Sequence, residues 1–211
     1  MTSTSTDSLI FDLDGTLWDA SETCANAWTE LLQDLNISEY TIDAAAIRAV
    51  SGLSVHKVFK EHFTFIPEDR RAELLEAYKP MELKYMKEFG GRLYPEVREV
   101  LQKLSESYKL FVVSNCLSGY IENFMQFHGL KDVFIDFECS GNTGQPKSEN
   151  IKMIIQRNAL QNPIYIGDTI WDFEAATAAD IPFIYAAYGF GTVENAEQRV
   201  DHFEDLTFLL K

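Results

Sequence analysis

Residues 8–19 read "SLIFDLDGTLWD": a short apolar run that ends on two aspartates one residue apart, Asp12 and Asp14, with Gly15 and Thr16 straight after them. Side chains two apart in a strand point the same way, so this spacing predicts that the two carboxylates share a face. Carboxylates held that close repel and raise each other's pKa unless something offsets their charge, typically a bound cation. Taken alone, the pair also fits a turn carrying two solvated acids. A calcium loop does not fit, because Leu17 stands where that loop needs Gly and Thr23 where it needs Glu.

Working outward, four further runs of apolar, β-branched or aromatic residues follow: "KLFVVSN" (109–115), "DVFIDFECS" (132–140), "NPIYIGD" (162–168) and "PFIYAAYG" (182–189). Helical patterns lie between them. The clearest is "PEVREVLQKLSES", where Val97, Val100, Leu101 and Leu104 recur at i, i+3, i+4 and i+7. Strands alternating with helices predict an α/β fold, a Rossmann-like three-layer core whose parallel sheet is covered on both faces. Roughly 90 residues separate the first two runs, far more than one crossover helix needs. That interval carries helical stretches and no clear strand, so it predicts an inserted helical domain over 18–89, with the core formed by 1–17 and 90–211. Its exit, "FGGRLYPEV", reads as a hinge.

The chain has 211 residues, 46% of them hydrophobic, which is enough for a sizeable core. Lysine and arginine number 18 against 33 aspartates and glutamates, giving a net charge of −15. Such a surface repels nucleic acid and anionic lipid, so neither is an expected partner, and an anionic substrate needs local help such as a divalent cation. The cysteines, Cys24, Cys116 and Cys139, form no zinc pattern and read as reduced thiols. With no apolar stretch of membrane-spanning length and no secretory pattern in "MTSTSTDS", a cytoplasmic location is expected. Oligomeric state is not legible.

In an open parallel sheet, ligands bind beyond the carboxyl ends of the strands. Those ends carry Asp12 and Asp14, then Ser114 and Asn115, then Asp168 with Asp172, while Lys147 precedes the helix that leads to the third group. Hard oxygen ligands of this kind suit Mg²⁺, which takes one or two carboxylates plus phosphate and water. Asp12 could then attack phosphorus, and Asp14 could protonate the leaving oxygen and later act as base toward water. Ser114, the amide of Asn115 and Lys147 would hold the equatorial oxygens.

"DLDGT" (12–16), "VVSN" (112–115), Lys147 and "GDTIWD" (167–172) resemble, in order, the four motifs of the haloacid-dehalogenase-like phosphohydrolase superfamily, most closely its phosphoglycolate-phosphatase-like members. Alone, "VVSN", Lys147 and "GDTIWD" say little; the four together and in order are specific. The resemblance spans almost the whole chain and implies that the inserted helices are an α-helical cap. It also implies that Asp12 is the nucleophile and Asp14 the general acid and base. Mg²⁺ would be bound by Asp12, the main-chain carbonyl of Asp14, and Asp168, with Asp172 bound directly or one layer out. Two departures stand out: Ser148 follows the motif lysine where Pro is frequent and reads as a helix N-cap, and Glu96 stands where a Gly is frequent.

Asp14 argues against halide displacement, which needs no leaving-group acid, and Thr16 favours hydrolysis over a sugar phosphomutase. A sugar phosphomutase and a catalytically idle binding module stay open as alternatives, the second opposed by the presence of every motif residue. The expected activity is therefore that of a Mg²⁺-dependent phosphatase acting on a small phosphorylated metabolite. Substrate choice is expected in "VSGLSVHKVF" (50–59), where Gly52 permits a tight turn and Ser54, His56 and Lys57 supply donors. Arg48 reads as an exposed helix residue, and Trp28, Phe59, Phe63 and Tyr85 as packing residues within the helical insert.

Overall fold

Period-two alternation sorts the strands' side chains onto two faces. On the first strand, β1 (Ser8–Phe11), Leu9 and Phe11 enter one apolar cluster while Ile10 enters another. The next long strand, β4 (Lys109–Ser114), repeats this with Leu110 and Val112 against Phe111 and Val113. In β6 (Pro163–Gly167), Ile164 and Ile166 oppose Tyr165. The computed structural model describes residues 6–37, 40–53, 57–64 and 66–210. With β5 (Asp136–Cys139), β7 (Phe183–Ala186) and β8 (Gln198–Val200), these strands form one sheet in the order β5-β4-β1-β6-β7-β8. Every pairing in it is parallel. Both faces are buried, as an all-parallel sheet requires. The α/β expectation is met, and β8 adds an edge strand that "QRV" did not announce.

β1 lies between β4 and β6, and the chain leaves it toward one side first and crosses to the other later, so the strand order reverses around β1. The carboxyl ends of these three strands define the crevice where such sheets bind ligands. The helices that cover the sheet include α4 (Val97–Ser105), which buries Val97, Val100, Leu101 and Leu104 as its spacing predicted. It starts after Glu96, whose φ of 61° lies in the left-handed region, so the position where glycine is frequent does have a backbone that glycine would suit.

Between β1 and β4 lie α1 (Ser21–Asp34), α2 (Ala44–Val50), a π-helical turn (Val58–His62) and α3 (Glu68–Glu88). They share a third apolar cluster built on Trp28, Leu31, Phe59, Phe63, Leu74 and Tyr78, with Tyr85 packed against it. Trp28 stacks on Tyr78 with ring centroids 4.0 Å apart. The expectation of no strand in this interval fails at its first residues. Trp18–Asp19 (β2) pairs antiparallel with Arg92–Leu93 (β3), so the entry to and exit from the helical segment form a two-stranded ribbon rather than a loose hinge. Two-residue strands are below what a periodicity argument detects. Arg48 is also less free than expected, since its guanidinium pairs with Asp19 at 2.8 Å.

Candidate active site

Asp12 follows β1 directly and is fixed by its own N–H, which donates to the carbonyl of Ile166 on β6 at 2.8 Å. The chain then turns so tightly that the carbonyl of Leu13 accepts from the N–H groups of Thr16, Leu17 and Trp18. Gly15, at φ +86°, is required here: a Cβ would lie 2.2 Å from Asp168 Oδ2. The regular strand ends at Phe11, yet Asp12 and Asp14 both line one cavity, as the D-x-D spacing implied.

The structure brings the other motif residues to the same place. Lys147 heads α7 (Lys147–Arg157), and its ammonium donates to Asp12 Oδ1 at 2.9 Å and to Asp172 Oδ1 at 2.5 Å. The helix begins at Lys147 with Pro146 as its N-cap, so Ser148 is not the cap that was expected; Pro146 already fixes the extended entry. Asp168 follows β6 and accepts from the Thr16 hydroxyl at 3.0 Å and the Phe190 N–H at 2.8 Å. Thr169 caps α8 (Ile170–Ala178) in a reciprocal capping box with Asp172, whose Oδ2 accepts from both the N–H and the hydroxyl of Thr169. Ser114, at the end of β4, lines the cavity beside Asp12 and Asp14.

Charge in this cluster is unbalanced. Asp12, Asp168 and Asp172 are all buried and present oxygens within 4.8 Å of one another, against the single ammonium of Lys147. Burial, then the charges of Asp172 and Asp12, push the Asp168 carboxyl well above its ordinary range. The donor set is all oxygen, and a hard divalent cation is the chemistry that offsets it. Asp14 stands apart: its Oδ1 accepts from the Tyr120 hydroxyl at 3.0 Å. Burial and the neighbouring Asp12 charge raise its pKa to about 8. Burial and Asp172 also raise Asp12, but Lys147 opposes them and it reaches only about 6. Environments that pull two adjacent carboxyls apart make one an ionised base or nucleophile and the other an acid at neutral pH.

The helical segment closes one side. Asn115 Nδ2 donates to the Gly52 carbonyl at 2.7 Å, and its Oδ1 accepts from Ser140 at 2.7 Å, so its side chain ties core to insert. Gly52, at φ +84°, packs where a Cβ would come within 2.9 Å of Thr169 Oγ1. Lys57 turns to a different cavity and lays its ammonium over the Trp171 ring, 4.9 Å from the centroid. Ser54 and His56 lie outside the described residues. Two residues that sequence reasoning missed belong here, Tyr120 on Asp14 and Glu82, an acid of α3 that lines the same cavity, while Thr16 of the first motif proves to donate to Asp168.

Comparison with known proteins agrees with this geometry. A family model described as haloacid dehalogenase-like hydrolase matches residues 9–186. The chain is 26% identical over 193 residues to a phosphoglycolate phosphatase of Aliivibrio fischeri, covering 86% of this chain and 84% of that protein. A phosphoglycolate phosphatase of Aquifex aeolicus is 28% identical over 190 residues, covering 86% and 85%. A haloacid dehalogenase-like hydrolase from Streptococcus pneumoniae superposes with TM-score 0.86 at 24% identity, over 99% of this chain and 100% of the other. CbbY from Rhodobacter sphaeroides, solved with xylulose-1,5-bisphosphate, shares the fold with TM-score 0.78 at 15% identity, over 95% and 96%. Fold, strand-end residues and family model converge, and the chain belongs to the haloacid dehalogenase-like hydrolases, among which it is similar to the phosphoglycolate phosphatases.

Proposed function

We propose that this protein is a Mg²⁺-dependent phosphatase that hydrolyses a small phosphorylated metabolite through an aspartyl-phosphate on Asp12. The observation that carries the reading is the meeting of Asp12, Asp168, Asp172 and Lys147 in one buried cluster beside Asp14 and Ser114. Asp12, Asp168 and the main-chain carbonyl of Asp14 would hold the ion. Both oxygens of Asp172 are already engaged by Lys147 and Thr169, which suits a residue that holds the lysine in place and adds negative charge near the metal. Magnesium, when bound, neutralises the phosphoryl oxygens and so eases the approach of a carboxylate.

Asp12 attacks phosphorus, and the bond from phosphorus to the leaving oxygen breaks. Asp14, protonated at neutral pH by its raised pKa, gives its proton to that oxygen as the alcohol departs. Asp14 then accepts a proton from water, which attacks the aspartyl-phosphate; the bond from phosphorus to Asp12 breaks, releasing inorganic phosphate and restoring the carboxylate. Lys147 holds Asp12 at 2.9 Å throughout, and together with the Ser114 hydroxyl it offsets charge on the transferring group. The helices of 18–89 serve as a cap that excludes water from the leaving-group side. Phosphate release from a panel of phosphorylated metabolites, with Mg²⁺ or EDTA, tests the reading. It requires release that depends on the metal and vanishes in Asp12→Asn; tight binding of a compound without any release would instead support a binding module.

A further inference from the structure

The cavity that Asp14 lines extends into the helical segment and has a volume of about 120 Å³. That is slightly less than a cavity of about 150 Å³ that takes benzene, so it holds an alcohol of roughly six heavy atoms. Because Asp14 protonates the leaving oxygen, the leaving alcohol must lie on this side. The walls are apolar, built on Trp28, Ile47, Val50, Leu53, Phe59 and Phe63. Among the described residues, the one carboxyl group lining it beyond Asp12 and Asp14 is Glu82, and no lysine, arginine or histidine lines it.

Glu82 is held in place. Its Oε1 accepts from the Tyr78 hydroxyl at 3.1 Å and from Cys24 Sγ at 3.6 Å, while Oε2 accepts no hydrogen bond among the described residues. Tyr78 is in turn stacked on Trp28, which fixes the donor that orients the carboxylate. Lys57 and Lys79 line the other cavity, which shares Gly52, Leu53, Asn115, Cys116 and Leu117 with this one but does not include Asp14. Arg48 lies over the ring of Phe190, 5.9 Å from its centroid, but is paired with Asp19 at 2.8 Å. A leaving group with a carboxylate would meet an acid in an apolar wall with no counter-charge, whereas a hydrogen-bond donor would find a free acceptor oxygen.

Resting on the phosphatase reading above, we propose that the substrate is a monophosphate of a small alcohol with an apolar body and a hydroxyl or ammonium donor, selected by Glu82, and that anionic leaving groups such as glycolate are disfavoured. The shared chemistry is the donor; the two forms are separated by assay. The test measures kcat/KM of the Mg²⁺-loaded protein on phosphoethanolamine, glycerol phosphate, phosphoglycolate and phenyl phosphate. One of the two donor-bearing esters should exceed phosphoglycolate by about tenfold or more. Glu82→Gln should narrow the ratio of the better donor ester to phenyl phosphate, and Glu82→Lys should shift preference toward phosphoglycolate. Metal-dependent turnover of phenyl phosphate with phosphoglycolate as the preferred substrate overturns the inference and leaves the phosphatase standing. Absence of turnover of all four esters, in wild type as in Asp12→Asn, overturns both.

Discussion

Among the described residues Lys147 is the one cation paired within the buried cluster, and its removal gives the sharpest stability prediction. It pairs with Asp12 at 2.9 Å and Asp172 at 2.5 Å, and all three side chains are at most 3% exposed. Lys147→Met keeps a similar length of chain but leaves two carboxylates buried without their partner. Breaking a buried pair from one side costs about 3–5 kcal/mol, more than the pair's net worth, because the residual charge stays desolvated. For a domain of this size, that corresponds to a melting temperature lower by roughly 6–20 °C in EDTA.

The pH dependence fixes the cause. In the wild type Asp12 has a folded pKa of about 6 against an ordinary 3.8, so the folded state binds the proton more tightly, and stability falls as pH rises through that window. Removing Lys147, which lowers that pKa, extends the fall to higher pH. The deficit of the variant should therefore be largest near pH 8 and shrink toward pH 5, and Mg²⁺ should recover part of it by binding the folded state. Lys152→Met is the control. That lysine pairs with Glu149 at 2.8 Å with both side chains 48% exposed, so its loss should cost less than about 1 kcal/mol. Thermal unfolding of all three proteins at several pH values reads this directly. A Lys147→Met protein as stable as the control variant, or a deficit independent of pH, would refute the reasoning.

Other consequences are separable. Glu96 holds φ 61° without a side-chain capping bond, so Glu96→Gly should raise stability by about 1 kcal/mol, seen as a melting temperature a few degrees higher. Glu82 is pushed up to about 7 by burial, so wild-type stability falls as pH rises from 4.5 to 7; Glu82→Gln lacks that loss and should gain on the wild type by up to about 3 kcal/mol between pH 5 and pH 8 in denaturant titrations. Asp14→Asn should slow hydrolysis of alkyl phosphates by about 10²–10⁴-fold. The same variant should lose far less in kcat/KM on nitrophenyl phosphate, whose leaving oxygen needs little protonation; kcat/KM reports only the steps through departure of the alcohol, so the loss of Asp14 as base in the later hydrolysis does not mask the difference.

The cluster that forms the candidate site was legible in the sequence where its geometry is local. Asp12, Ser114 and Asp168 are read from the ends of apolar runs because a parallel sheet brings those ends together, whatever the connections between them. The partners that tune these groups were not legible, because they come from distant places with no pattern of their own. Tyr120 lies 106 residues from the Asp14 it serves. Glu82 lies 58 residues from Cys24, on a helix crowded with acids, and nothing marks it as the one that faces inward. The fold shows the same division: long buried strands announce themselves by alternation, whereas the two-residue ribbon of Trp18–Asp19 and Arg92–Leu93 exists only through its pairing. Of the donors expected in the stretch 50–59, Lys57 lies over the Trp171 ring, a contact that no sequence pattern announces.

The central claim is that the phosphoryl group passes through Asp12. Mixing the Mg²⁺-loaded protein with a turned-over ester, quenching in acid within one turnover and mapping the phosphoryl mass by peptide sequencing in a mass spectrometer tests it most directly. The account predicts one phosphoryl group on the carboxylate of Asp12, absent in Asp12→Asn. Turnover with no covalent phosphoryl group at any quench time, or a group located on another residue, would contradict it.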